Sequence, residues 1–383
     1  MPAGANGGRR ALAAALVDWV TTHVEATDEV ADPAGFALAR GRGSRTTLVL
    51  ALARELGIPA RPVLVRSRLV ADAAAPQPPQ ELDDFSDVIV ELDVGAPGKP
   101  ALVCADVRLR HAAFGYLPPG LDGARMLRVP DGSFGLARKT AAEDRRTVDM
   151  TIRLDDQGGG VAVATEELAG WPALEWAELV ERFGADRGRL RQDFEQRWLG
   201  VQFPGARLRE LEIDVPTSRV ATLGTARVRY SFSSTRLAVP SGRTAAGADE
   251  MRIAPTFFRS QPGRRFAAEP QRATALMLGF DVPTRITATV ELPRAARIDE
   301  ASLRKDVVIA RAGGYRFVEG RQLRSGGHDR PNVLVLRRES DLPIMRVSPS
   351  EYADVAADLR RVDGAEQEEI RIRLGSAARG GTR

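Results

Sequence analysis

Two periodicities alternate along the 383 residues. Leu12, Leu16, Val20 and Val24 recur every fourth position, with Ala13 and Val17 beside them. That repeat predicts an amphipathic helix over residues 9–26. A polar stretch, TDEVADPAG, follows. From Thr46 to Leu56 apolar residues fall on nearly every side, which predicts a helix buried all round. Gly57 stands at the expected C′ position, and Pro59 prevents continuation. ARPVLVRS (60–67) then reads as a strand and the Ala/Pro/Gln-rich 71–80 as a loop. FSDVIVELDV (85–94) and KPALVCADV (99–107) read as two more strands. The turn-rich FGYLPPGLDG (114–123) closes the region.

After a polar linker near 130–145 the pattern becomes one of strands. TVDMTIRL (147–154) alternates apolar and polar, and GGGVAVATEEL (158–168) pairs with it across Gly158–Gly160. Further strands are expected in ARLRELEIDV, ARVRYSFSST, RITATVEL, VLVLRRES and EEIRIRL. Residues 171–199 read as helix broken near Gly184. In SPSEYADVAADLRRV, Ser348 is the expected N-cap, Pro349 the first helical residue and Glu351 the partner of a capping box. The terminal RGGTR is expected to fray. The fold class is α+β, with helices and strands mixed before about residue 130 and strands with inserted helices after it.

Composition narrows the chemistry. Apolar residues at 43% and charged residues at 28% fit an ordinary globular protein. The single cysteine, Cys104, excludes an internal disulfide, and His23, His111 and His328 are too scattered for a zinc site. Lysine occurs only at 99, 139 and 305, an arginine bias that points to a GC-rich bacterial genome. The net charge of +4 is interspersed rather than blocked, so nucleic acid is not an expected partner. No run of eighteen apolar residues suggests a transmembrane helix. Asp18 interrupts the N-terminal apolar stretch, which argues for a helix over a signal peptide. Gly41-Arg42-Gly43-Ser44 precedes a helix but lacks a phosphate-loop lysine. Nucleotide, zinc-protease, hydrolase-elbow and EF-hand motifs are absent, and no cofactor is expected.

The order of parts in 9–123 carries a resemblance. LALARELGIPAR (50–61), FSDVIVEL (85–92) and AFGYLPPGLDG (113–123) resemble the transglutaminase-like core of bacterial multidomain envelope proteins, over roughly residues 10–130. The resemblance implies a papain-like α+β core in 1–132. It also implies a β-rich, sandwich-like region in 145–383, with a subdomain boundary near 260–280 and its match in 343–372. In that family a cysteine at the N-terminus of the buried helix is the nucleophile, where the helix dipole favours the thiolate. A histidine at the start of a following strand is the base, and an aspartate on the strand after it orients the imidazole. Aligned on LGIPAR without gaps, Arg42 stands at the cysteine position; a two-residue shift puts Ser44 there. Asp87 stands at the histidine position, and Asp106 matches the aspartate. Arginine stays protonated and serine without an imidazole lacks a base, so the resemblance implies the fold and argues against the family's reaction.

Three functions follow as expectations. The first is a catalytically inactive transglutaminase-like binding or scaffold module. It belongs to the bacterial envelope if the chain continues a longer precursor, and to the cytoplasm if Met1 is the true start. The second is a cysteine amidase, peptidase or acyl transferase with a relocated nucleophile, using Cys104, His111 and Asp106. Against it, Cys104 sits in the apolar run ALVCA and reads as a buried core residue. The third is a carbohydrate-binding β-sandwich, which needs at least two exposed tryptophans. A partner protein or peptide of acidic character is one further expectation. Arg42, Arg45, Arg61, Arg66 and Arg68 would bind its carboxylates, unless Asp83, Asp84 and Asp87 already pair with them.

Overall fold

The computed structural model describes residues 5–27, 32–70, 84–140, 143–215, 225–243, 249–254, 257–294, 296–298, 302–303, 306–311, 314–326 and 331–374. The 71–80 segment, Asp83, His328 and RGGTR lie outside them. The architecture is β-rich and mixed, and it divides into two compact units. One comprises Met1–Asp144, Ala169–Glu181 and Val215–Ala226; the other comprises Arg145–Leu168, Arg182–Asp214 and Arg227–Arg383.

The first unit opens with α1 (Ala5–His23), α2 (Ala34–Arg40) and α3 (Arg45–Glu55). Strands β1 (Ala60–Arg66), β2 (Asp87–Asp93), β3 (Leu102–Ala105), β4 (Arg125–Arg128) and β5 (Phe134–Leu136) follow. They form an antiparallel sheet in the order β3-β2-β1-β4-β5. Leu16, Val17 and Val20 of α1 join Leu48, Val49 and Ala53 of α3 in one core with Val90, Leu92, Val103 and Ala105 of the sheet. The other sheet face buries Val63, Val65, Ile89, Cys104 and Met126 under Leu117 and Leu121. Alternation along β2 and β3 therefore sends Val103 and Ala105 one way and Cys104 the other.

Helix α3 ends as its sequence predicts. Gly57 has φ +66, Ile58 N–H reaches Ala53 O at 2.8 Å and Gly57 N–H reaches Arg54 O at 3.1 Å, the paired bonds of a Schellman cap. The helix is not buried all round, however. Arg54, Glu55 and Leu56 are exposed, with Leu56 at 45%, because the helix packs a single face into the core. Leu12, the first residue of the expected α1 stripe, is likewise 42% exposed.

The second unit is built on eight strands: β6 (Arg145–Leu154), β7 (Gly160–Ala169), β8 (Arg207–Asp214), β9 (Thr225–Ser234), β10 (Asp281–Glu291), β11 (Val307–Ala310), β12 (Arg316–Arg324) and β13 (Val333–Leu342). Their order is β8-β9-β7-β6-β10-β13-β12-β11, with β6 and β10 parallel. On β6 the expected alternation holds: Val148, Met150, Ile152 and Leu154 are buried between exposed neighbours. The expected helix at 171–199 is α4 (Trp171–Phe183), a break at Gly184 with φ +53, then α5 (Arg187–Asp193) and a π-helical turn (Phe194–Leu199). Residues 171–181 of α4 belong to the first unit. A five-residue helix, α6 (Pro262–Phe266), precedes β10. Helix α7 (Tyr352–Gln367) packs Tyr352, Val355, Leu359 and Val362 with Ile309 and Phe317.

The start of α7 corrects the capping box. The helix begins at Tyr352, not Pro349. Glu351 does accept from Ser348 N–H at 3.1 Å, but Ser348 Oγ donates to the same carboxylate at 2.6 Å. With its hydroxyl spent on Glu351, Ser348 closes a turn ahead of the helix. Among the described residues, no helix is long and apolar enough to cross a membrane.

Candidate functional site

The N-terminus of α3 meets the ends of β2 and β3 at one corner of the first unit. Arg42 is exposed and lies in a two-residue parallel bridge, opposite Glu25. Ser44 is buried and caps α3, its Oγ accepting from Thr47 N–H at 3.2 Å. Arg45 is buried too. Its Nε donates to Val24 O at 2.6 Å and its Nη1 to Arg108 O at 2.9 Å. These bonds tie the head of α3 to the chain leaving α1 and to the chain leaving β3.

Asp87 opens β2, and Asp106 lies just past the end of β3. The register Val90↔Ala105, extended outward, sets residue 87 against residue 108. Arg108 occupies the space between the two carboxylates. Its Nε and Nη2 reach Asp106 at 2.8 and 2.7 Å as a fork, and its Nη1 donates to Asp87. Ser86 Oγ adds a bond to Asp87 at 2.6 Å. The Asp106 side chain is 1% exposed. Hydrogen bonding to Asp106, reinforced by Asp87, holds the Arg108 guanidinium further above its already high value. The positions that the resemblance assigns to base and orienting acid thus meet at Arg108, and the nucleophile position is joined to that loop through the Arg45 side chain. What fills them is a helix cap and a carboxylate–guanidinium–carboxylate clamp. Both carboxylates are bonded to a guanidinium, which itself cannot act as a base.

The rival set does not form a comparable cluster. Cys104 is 5% exposed in the apolar cluster on the sheet face away from α3. Burial, then the Glu91 charge, pushes its thiol up to about 11. Asp106 lies beyond the end of the strand that carries Cys104 and is bonded to Arg108. His111 Nε2 meets Glu181 Oε2 at 2.7 Å, and Arg110 pairs with the same glutamate. A thiol raised from 9.0 to about 11 holds, at pH 8, roughly one hundredth of the ordinary thiolate fraction. Native protein is therefore expected to resist iodoacetamide at pH 8 and to take up one equivalent in denaturant. Rapid native labelling at Cys104 would contradict this burial.

Of the arginines expected to await an acidic partner, Arg45, Arg61, Arg66 and Arg68 are already engaged, while Arg42 is exposed. Arg61 pairs with Glu91 at 2.7 Å and Asp131 at 3.0 Å, Arg66 with Asp84 at 3.6 Å, and Arg68 reaches Asp122 O at 3.3 Å. Asp87 pairs with Arg108, which sequence reading passed over. It also passed over Glu91, 2% exposed and forked by Arg128 at 2.9 Å. Its signal is an acid inside the apolar run VIVEL, a position tolerable only with paired cations.

Of the four tryptophans only Trp19 is exposed, at 41%; Trp176 is buried and Trp171 and Trp198 are half-buried. The two exposed tryptophans that the carbohydrate-binding expectation requires are not found among the described residues. Among the described residues no group of three or more acids, histidines or cysteines is placed to hold a metal ion.

No family model matches the sequence, and no curated protein matches it. One solved structure, a "putative protease" from Parabacteroides distasonis, superposes with a TM-score of 0.47 at 10% identity, covering 96% of this chain and 52% of that one. The chain spans about half the length of that structure. A likeness this slight carries no argument about activity.

Proposed function

We propose that this chain is a catalytically inactive transglutaminase-like protein that serves as a binding or scaffold module. One observation carries the reading: Arg108 clamps Asp87 and Asp106 where the resemblance would put a histidine and its aspartate. The burial of Cys104 supports it by removing the alternative thiol from water. Residence in the bacterial envelope is part of the same proposal. The test is peptide hydrolysis and glutamine–amine transfer by the purified chain, beside Cys104→Ala and Ser44→Ala. All three proteins are expected to show no turnover above the buffer blank. Turnover by the parent that vanishes in either variant would establish a working nucleophile and overturn the proposal.

A further inference from the structure

The second unit carries a groove of its own. Arg187, Leu190 and Arg191 of α5 form one wall, and Leu211, Glu212 and Ile213 of β8 form the other, enclosing about 300 Å³. Strand β8 is the end strand of the eight-stranded sheet, with β9 on one side only. An end strand leaves alternate backbone N–H and C=O groups without a ladder partner. The first part of this edge is covered from within. Glu195 accepts from Leu208 N–H at 2.8 Å, and Arg191 Nη2 donates to Arg209 O at 3.0 Å. Beyond Arg209 the groove takes over.

Its chemistry is one-sided. Leu190 is buried, and Leu211 and Ile213 are half-buried, giving an apolar floor. Glu212 is turned to Arg229 at 3.1 Å, so its charge is answered inside the sheet. Arg187 is exposed and has no ion-pair partner among the described residues. Arg191 spends one nitrogen on a carbonyl and keeps its charge. The rim is therefore cationic above an apolar floor. A volume at the bottom of the usual range for ligand sites suits two or three side chains rather than a whole cofactor.

We propose that this groove receives an extended peptide segment of a partner protein, added as a strand beside β8. Apolar side chains would enter between Leu190, Leu211 and Ile213, and one carboxylate would sit against Arg187 and Arg191. Main-chain bonds to the edge would supply affinity and the alternate side chains specificity. Side chains on the opposite face would pass Glu210, Glu212 and Asp214 and must not be acidic, so one strand face reads as apolar plus acid and the other as neutral.

The probe is a fluorescent, amidated hexapeptide, Thr-Val-Thr-Glu-Thr-Val, titrated into the full chain by anisotropy at low salt. Saturable binding is expected. Replacing the peptide's glutamate by glutamine, or Arg187 by alanine in the protein, should each weaken it about tenfold or more, the scale of one charged hydrogen bond. Arg187 is exposed, so Arg187→Ala should leave the thermal midpoint unchanged; Leu211→Asp should abolish binding. Equal affinity for the glutamate and glutamine peptides, or for parent and Arg187→Ala, overturns the proposal, as does absence of saturation. Dimerisation by light scattering that Leu211→Asp abolishes would give the groove to a second copy and overturn it equally.

Discussion

Glu366→Ala is expected to cost about 3–5 kcal/mol of stability, the scale for removing one partner of a buried ion pair. Glu366 lies on α7 and is fully buried. It accepts from Arg338 Nη1 at 2.9 Å, Ser260 N–H at 2.9 Å, Ser260 Oγ at 2.8 Å and Gln261 N–H at 2.9 Å. Burial pulls the Arg338 guanidinium down from its ordinary value, and the Glu366 and Glu319 carboxylates oppose that pull. Remove Glu366 and the buried guanidinium loses its nearest counter-charge. The turn suffers as well. Phe258 and Gln261 hold φ of +59 and +46, a conformation that non-glycine residues adopt only under constraint. Glu366 fastens two N–H groups of that turn, and Asp363, one helical turn earlier, fastens Gly263 and Arg264 N–H at 2.8 Å each. Glu366→Gln should cost less, since an amide oxygen still accepts from the turn. The double variant Arg338→Met with Glu366→Leu should regain part of the loss but not all, because the turn's N–H groups stay unanswered. Urea titration of the three variants separates the contributions. A loss below about 1 kcal/mol for Glu366→Ala would show that the network is not what holds α7 to this turn.

Much of this arrangement was legible in the sequence, and the illegible part has a physical pattern. Period-four spacing placed α1 and period-two alternation placed β6, because their buried faces recur at fixed spacing, while apolar runs placed α3 and β13. Gly57 and Gly184 marked their breaks because only a left-handed residue continues the chain there. Asp87 and Asp106 were picked out as positions, and the structure brings both to one corner. Their partner was missed because Arg108 makes its bonds through a register, and register is a property of two strands rather than one. Glu91 stands out inside the apolar run VIVEL, but its cations arrive from residues 61 and 128, and Glu366 looks like an ordinary helix-surface acid until Arg338 reaches it. Ser44 stands at a nucleophile position by alignment, and the 3.2 Å bond from Thr47 makes it the cap of the helix.

Asp144→Ala is expected to destabilise the first unit by roughly 3–5 kcal/mol, from several smaller losses rather than one ion pair. The Asp144 side chain is 4% exposed. Its Oδ1 accepts from Tyr116 Oη at 2.7 Å and from Trp171 N–H at 2.7 Å, and its Oδ2 meets Lys139 Nζ at 2.8 Å. The bond to Trp171 satisfies a free N–H at the start of α4, where a negative charge is favoured. Tyr116 is 3% exposed, and burial, then the bond to Asp144, drives its hydroxyl far above the ordinary phenol value. Its hydroxyl donates to Asp144, so without Asp144 that donor is left buried and unanswered. Among the described residues Lys139 keeps Asp122, at 3.9 Å, as its ion-pair partner. Gly170 admits the carboxylate: with φ +64, a Cβ there would stand 2.3 Å from Asp144 Oδ1. Gly170→Ala should therefore destabilise the same unit without touching any hydrogen-bonding atom. Asp144→Asn should fall between parent and alanine, since its oxygen still accepts from Tyr116 while the charge facing Lys139 is gone. Fluorescence-monitored unfolding ranks the three. If Asp144→Asn proved as damaging as Asp144→Ala, the charge facing Lys139 would outweigh the Tyr116 and Trp171 bonds, and the loss would be that of one ion pair after all.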